Sequence, residues 1–186
     1  MKIGIVNYGL GNIKSIKNAI FYADKSVDVN LVDYPDQLSQ YDKIILPGVG
    51  AFGDAIKLIR DKNFDESLLD EKNKGKYIFG ICLGMQLLAT KSYEFGEHTG
   101  LNLIPGEVIK FKNTQHYHVP HVGWNNLEWN EKSKLFENIE NKSDFYFVHS
   151  YYFNCINKNH SIGYTNYINK FTSVVKEQNV LGTQFH

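Results

Sequence analysis

The sequence predicts an α/β domain built on a largely parallel sheet and extended by an antiparallel β portion. Three observations carry that expectation. The first ninety residues alternate short apolar runs with windows of helical spacing, the order expected of βαβ units. Glycine and proline punctuate the joints between those runs. From about residue 101 onward, short β-like runs follow one another with few helical windows between them.

Taken in order, KIGIV (2–6) reads as a short buried strand, and NYGLGN (7–12) as a glycine-rich turn. In IKSIKNAIFYA (13–23), Ile13, Ile16, Ile20 and Phe21 recur like one face of a helix. VDVNLVD (27–33) returns to strand, and YDKIILPG (41–48) is a second buried strand stopped by Pro47-Gly48. Helical spacing then runs across 52–74, GKYIFGI (75–81) is again strand, and LGMQLLAT (83–90) begins a helix immediately after Cys82. The later runs are GEVIKF, NNLEW, DFYFVHSYYF, SIGYT, TSVVKE and VLGTQF, expected to widen the sheet and form an antiparallel flap. Neither a linker composition nor a repeat interrupts the chain, so a single domain over 1–186 is expected.

Bulk properties narrow the function. Lys+Arg and Asp+Glu balance at 20 each, so no global field favours nucleic acid or an anionic membrane as a partner. The N-terminal apolar run is too short for a signal-peptide core, and no stretch approaches the roughly 20 apolar residues of a spanning helix. A soluble, cytoplasmic protein is the expectation. Its two cysteines, Cys82 and Cys155, form no metal-type pair, and no disulfide is expected.

The sharpest local signal is FGICLGMQ (79–86). A strand enters Gly80-Ile81-Cys82-Leu83-Gly84 and a helix starts at once, the form of a nucleophile elbow with cysteine at its centre. Glycines flank such a turn because side chains would clash there, and the turn presents Sγ at the carboxyl edge of the sheet. The helix N-terminus is expected to favour thiolate by roughly 0.3–1 kcal/mol, and the Leu83 N–H to point toward an oxyanion. A buried structural cysteine is the plainer alternative, and it is the reading preferred for Cys155. A thiol with pKa near about 8.5 needs a base at neutral pH. His149, on a strand that alternation can turn inward, and His186, at the end of VLGTQF, are both candidates, and spacing does not choose between them. PGVGAFGDA (47–55) offers backbone N–H groups for a second oxyanion donor. The histidines match no zinc motif, and NYGLGN lacks the third glycine of a dinucleotide loop.

Together these motifs resemble the class I glutamine amidotransferases, and within them the glutaminase subunit of imidazole glycerol phosphate synthase. NYGLGN, LPGVGAFGDA, GICLGMQLL, PHVGWN (120–125), DFYFVHSYY (144–152) and GTQFH (182–186) carry the likeness along the whole chain. The resemblance implies a flavodoxin-like amidotransferase fold and a reaction without cofactor or metal. In it Cys82 attacks the glutamine side-chain amide to form a γ-glutamyl thioester, and His186 serves as general base and acid. Leu83, Val49 and Gly50 would form the oxyanion hole, and Gln86, Glu94 and the Ser150 backbone would hold glutamine, Glu94 taking the α-ammonium. His149 would have a supporting role. Asn12, Pro120, His121, Trp124 and Asn125 would face a (β/α)₈-barrel cyclase in a heterodimer. There ammonia joins a ribulosyl-formimino intermediate to give imidazole glycerol phosphate and an aminoimidazole carboxamide ribotide.

Two departures bear on those expectations. The family usually carries a basic residue, most often arginine, two positions before the proline of PHVGWN, where this chain has His118. The family motif also continues FHPEKS, with a glutamate two positions past the histidine and a closing helix, whereas the sequence stops at His186. The resemblance therefore predicts a longer protein, and a loosely held imidazole with poor turnover without that carboxylate. Alternative readings are a paralogous glutaminase feeding a sugar-modifying amidotransferase for surface polysaccharide, and a non-catalytic binding subunit.

Overall fold

A computed structural model describes residues 1–129 and 133–186. Its first half contains β1 (Lys2–Val6), α1 (Ile13–Ala23), β2 (Asp28–Val32), β3 (Lys43–Leu46), α2 (Phe52–Asp61), α3 (Phe64–Asn73), β4 (Tyr77–Ile81) and α4 (Leu83–Leu87). The second half contains β5 (Lys91–Ser92), β6 (His98–Thr99), β7 (Gly106–Lys110), β8 (His121–Asn126), β9 (Asp144–His149), β10 (Tyr151–Cys155), β11 (Ser161–Asn166), β12 (Lys170–Glu177) and β13 (Val180–Thr183).

The main sheet runs β2-β1-β3-β4-β13-β12-β10-β7-β5-β6, with β11 paired to β12. Its first five strands are parallel, and β12, β10 and β11 extend it with antiparallel pairs. β13, the last strand in sequence, lies beside β4 with Gly182 opposite Gly80. That pairing brings the residues after β13 to the carboxyl edge of β4, where Cys82 follows. β8 and β9 form a separate two-stranded ribbon in which His121 faces His149 and Trp124 faces Tyr146.

Local chemistry accounts for most boundaries. The Asn12 side chain accepts from the Ser15 N–H at 3.3 Å and caps α1. The helical window 52–74 is two helices, because Asn63 takes a left-handed backbone (φ 58°), a conformation asparagine tolerates. The helix after Cys82 is shorter than its apolar pattern, since the chain turns at Leu88 to cover the core and enter β5. The run 144–153 breaks at Ser150, and its halves join different sheets. The strand expected at NNLEW begins earlier, at His121, and ends at Asn126, so HVGWN lies in the ribbon with Pro120 just before it.

The largest core cluster lies under α2, α3 and α4, with Phe52, Ile59, Phe64, Leu68 and Met85 fully buried. Each such side chain contributes roughly 1.5–3 kcal/mol. A second, aromatic cluster of Phe111, Phe147, Phe171 and Phe185 seats the ribbon against the sheet. α1 covers Ile3, Ile5 and Ile45 on the other face. Beside α1 that face is grooved, with cavities of about 440 Å³ along Ile45, Tyr77 and Leu181 and about 280 Å³ along Phe79, Phe145 and Phe185. Among the described residues no helix is long and apolar enough to cross a membrane.

Candidate active site

β4 delivers the chain into Cys82 at φ 54° and ψ −112°, a conformation that costs a non-glycine residue about 1–3 kcal/mol. The surroundings hold it there. The Cys82 N–H donates to the Thr183 carbonyl at 2.8 Å, and its carbonyl accepts from Met85 and Gln86 at 3.0 and 3.3 Å. The loop 47–50 interlocks with this turn. A Cβ on Gly84 would lie 1.9 Å from the Leu46 carbonyl oxygen, and one on Gly48 would lie 2.6 Å from the Gly84 nitrogen. Only glycine fits at both positions. From below, the buried Tyr8 hydroxyl donates to the Pro47 carbonyl at 2.8 Å and fixes the root of the loop.

A cavity of about 220 Å³ opens over the turn. Its lining includes Cys82, Leu83, Val49, Gly50, Gln86, Glu94, Ser150 and His186, the eight residues that the sequence proposed for catalysis and glutamine handling. His149 lines it too. His186 therefore faces the same space as Cys82, which spacing alone did not decide; its backbone N–H is held by the Tyr146 carbonyl at 3.0 Å.

The electrostatics depart from one expectation. α4 spans five residues, and burial pushes the Cys82 thiol up to about 11, against the smaller lowering influence of the Leu83 N–H and the Gln184 amide. Desolvation outweighs the helix terminus, so the resting group is a thiol. Burial lowers the pKa of His186, leaving it a neutral imidazole able to accept a proton at pH 7. Burial also raises the pKa of Glu94, whose Oε2 accepts from the Phe52 N–H at 2.7 Å at the start of α2. The Ser150 carbonyl accepts from the Phe111 N–H at 3.1 Å, which fixes Ser150 at the cavity wall.

The other sequence candidates divide. Asn12, Pro120 and Trp124 are exposed, Trp124 at 73%. His121 is not: it is 2% exposed, stacked on Tyr167 and Phe147, because alternation along β8 turns it under the ribbon. It therefore departs from the expected partner-facing group. The Asn125 amide is likewise turned inward, donating to the Asn166 carbonyl at 2.9 Å. Cys155 lies at the end of β10, 2% exposed and outside the cavity. Among the described residues no group of three or more His, Cys, Asp or Glu is arranged to hold a metal.

Sequence reasoning passed over Gln184, which is fully buried. Its Oε1 accepts from Gln86 Nε2 at 2.9 Å, and its Nε2 donates to Cys82 Sγ at 3.8 Å. The signal was present: a glutamine in the middle of the apolar run VLGTQF has to find buried partners.

Comparison with known proteins identifies the family of the chain. The family model described as "Glutamine amidotransferase class-I" matches residues 4–186. The chain is 43% identical to the imidazole glycerol phosphate synthase subunit HisH of Sulfurimonas denitrificans, over 99% of this chain and 89% of that protein. It is 44% identical to subunit HisH 1 of Methanococcus maripaludis, over 99% and 90%. Among solved structures, one described as a glutamine amidotransferase superposes with a TM-score of 0.76 at 18% identity, covering 99% of this chain and 89% of that one. PurLQS from Thermotoga maritima also superposes at 0.76, with 20% identity and coverage of 100% and 86%. At those identities the superpositions speak for a common fold.

Proposed function

Because the chain belongs to the class I glutamine amidotransferase family, we propose that it is the glutaminase subunit of an imidazole glycerol phosphate synthase, acting in histidine biosynthesis. The observation that carries this reading is the single cavity shared by Cys82, His186, Leu83, Gly50 and Glu94 in a chain so similar to that subunit. The HisH relatives are each named as one subunit of the synthase, which supports a cyclase as the second subunit. A (β/α)₈ barrel paired one-to-one with this chain is the form proposed for it. The ribbon's outer face, with Val122, Trp124 and Val148 exposed at 55%, 73% and 44%, supplies the apolar surface for that partner. A cytoplasmic setting suits this biosynthetic role.

In the proposed chemistry His186 takes the thiol proton as Cys82 Sγ attacks the carboxamide carbon of glutamine. Negative charge on the amide oxygen is met by the Leu83 N–H and by an N–H from the Val49–Gly50 segment. Collapse breaks the C–N bond, and His186 returns its proton to the leaving nitrogen so that ammonia departs. Water, deprotonated by His186, then attacks the thioester; glutamate leaves and the thiol is restored. Glu94 fits the α-ammonium of the substrate, its raised pKa reversed when the cation binds. With burial holding the thiol pKa up, proton transfer to His186 is concerted with or precedes attack.

The test is reconstitution with a barrel-type cyclase. Cys82→Ala is expected to abolish glutamine-dependent formation of imidazole glycerol phosphate while leaving ammonia-dependent formation intact. Retention of glutamine-dependent turnover by that variant sinks the reading.

A further inference from the structure

The inner face of the ribbon carries a hydrogen-bond chain whose polarity is dictated at every link. The Tyr151 carbonyl can only accept, so His149 Nδ1, 2.8 Å away, must carry a proton. A neutral His149 then accepts at Nε2, so His121 Nδ1, 3.1 Å away, donates to it. His121 Nε2 in turn accepts from the Asn125 amide at 3.3 Å. Both imidazoles are buried, at 2% and 6% exposure, and burial lowers their pKa values to about 4 and about 3. Aromatic rings enclose them: Tyr167 stacks on His121 at 4.0 Å, and Phe111 and Phe171 pack on His149 at 5.4 and 5.2 Å. The titratable neighbours of His149 are His121 and His186, and the shared cavity adds Cys82, Glu94 and Tyr151.

The same Tyr151 carbonyl also accepts from Gln86 Nε2 at 2.9 Å. The second proton of that amide goes to Gln184 Oε1, which leaves Gln184 Nε2 directed at Cys82 Sγ. One carbonyl therefore joins two branches. One branch reaches the thiol, and the other reaches a ribbon whose opposite face is exposed and apolar.

We propose that His149, seated on His121, is a positioning residue for Cys82: through the Tyr151 carbonyl it sets the Gln86 and Gln184 amides so that Gln184 donates to Sγ, and it ties that donor to the seating of the β8–β9 ribbon. The assignment deepens the glutaminase reading by giving its nucleophile a support, and it rests on that reading only for the name of the reaction. A donor aimed at sulfur favours the thiolate, so loss of the chain slows every reaction that consumes thiolate. A phenyl ring at position 149 fits the aromatic enclosure but cannot donate to Tyr151, whereas a glutamine amide can.

The experiment uses iodoacetamide capture of Cys82 in the full chain at pH 8–9, with the modified peptide identified by mass so that Cys155 is counted separately. Neither glutamine nor a partner is needed, so failure here is distinguishable from failure of the glutaminase reading, which shows as absent ammonia release. His149→Phe is expected to slow capture about tenfold, and His149→Gln to recover most of the rate. Gln184→Met should slow capture similarly, and combining it with His149→Phe should add little, because both cut one path. Nitrogen NMR at pH 7 should find both His121 and His149 neutral and protonated at Nδ1. A folded His149→Phe with an unchanged or faster rate, or effects that simply multiply in the double variant, overturns the proposal. If His149→Phe does not fold, His121→Phe, stacked between Tyr167 and Phe147, breaks the same chain one link earlier and is judged by the same rates.

Discussion

Cys82 and Cys155 share most of what a burial profile can report. Both are buried, at 8% and 2% exposure, and burial pushes both thiols to about 11. What separates them is backbone and company. Cys155 sits in ordinary strand geometry at the end of β10, with the Thr172 hydroxyl beside it. Cys82 stands at φ 54° on a turn whose glycines allow no other residue, with a cavity and His186 in front and the Gln184 amide behind. Thiol chemistry in this fold is thus set by directed groups around the sulfur, not by a lowered resting pKa.

The contrast can be broken most directly by removing each sulfur. Cys82→Ala is expected to lower glutamate release, assayed with a cyclase present, by about 10⁴-fold or more. Cys155→Ala should stay within about threefold of the parent rate. Equal losses in the two variants erase the distinction.

Acid provides the next largest effect. His121 and His149 have folded pKa values of about 4 and about 3, below an unfolded value near about 6.5. The unfolded chain then binds protons that the folded chain does not, so the stability is present above pH 6.5 and is lost as pH falls toward 3. By pH 5 each histidine is expected to have removed about 2 kcal/mol. Urea midpoints at pH 7 and pH 5 measure the loss, and His121→Phe combined with His149→Phe should flatten it. A steep dependence that survives both substitutions assigns the protons elsewhere.

Gly84→Ala sharpens the geometric half of the comparison. Its added methyl meets the Leu46 carbonyl oxygen at 1.9 Å, so the turn must open at a cost of about 3 kcal/mol, read as a lower thermal midpoint together with lost turnover. Unchanged midpoint and activity would show the elbow to be slack. The smallest effect expected is at the rim of the cavity. Glu94→Gln should raise KM for glutamine about tenfold with kcat within a few-fold, since the proposed contact to the α-ammonium would be the same in ground and transition states. A fall confined to kcat assigns Glu94 to the chemical step instead.

Several features were legible because they are local. Strand-to-helix alternation, the Gly80-Ile81-Cys82-Leu83-Gly84 turn and the PGVG loop all follow from patterns within about ten residues. The break at Asn63 was less visible, because asparagine inside an apolar period announces no left-handed turn until packing requires one. The inward turn of His121 was hidden for a related reason. A ribbon has two faces, and only its seating on Phe147 and Phe171 decides which of them is buried.

By itself the sequence determined the α/β alternation, the elbow at Cys82 and the family likeness, all carried by short-range backbone and side-chain preferences. That likeness named His186 as the partner of Cys82, and tertiary structure set both on one cavity; tertiary structure alone decided that burial pushes the thiol up and that His121 and His149 join a chain leading to Gln184. Those outcomes depend on strand order and burial. Gln86 and Gln184 are 98 residues apart and meet only because β13 pairs with β4. The pKa of a buried group is likewise set by whatever the completed fold places around it, which no local pattern encodes.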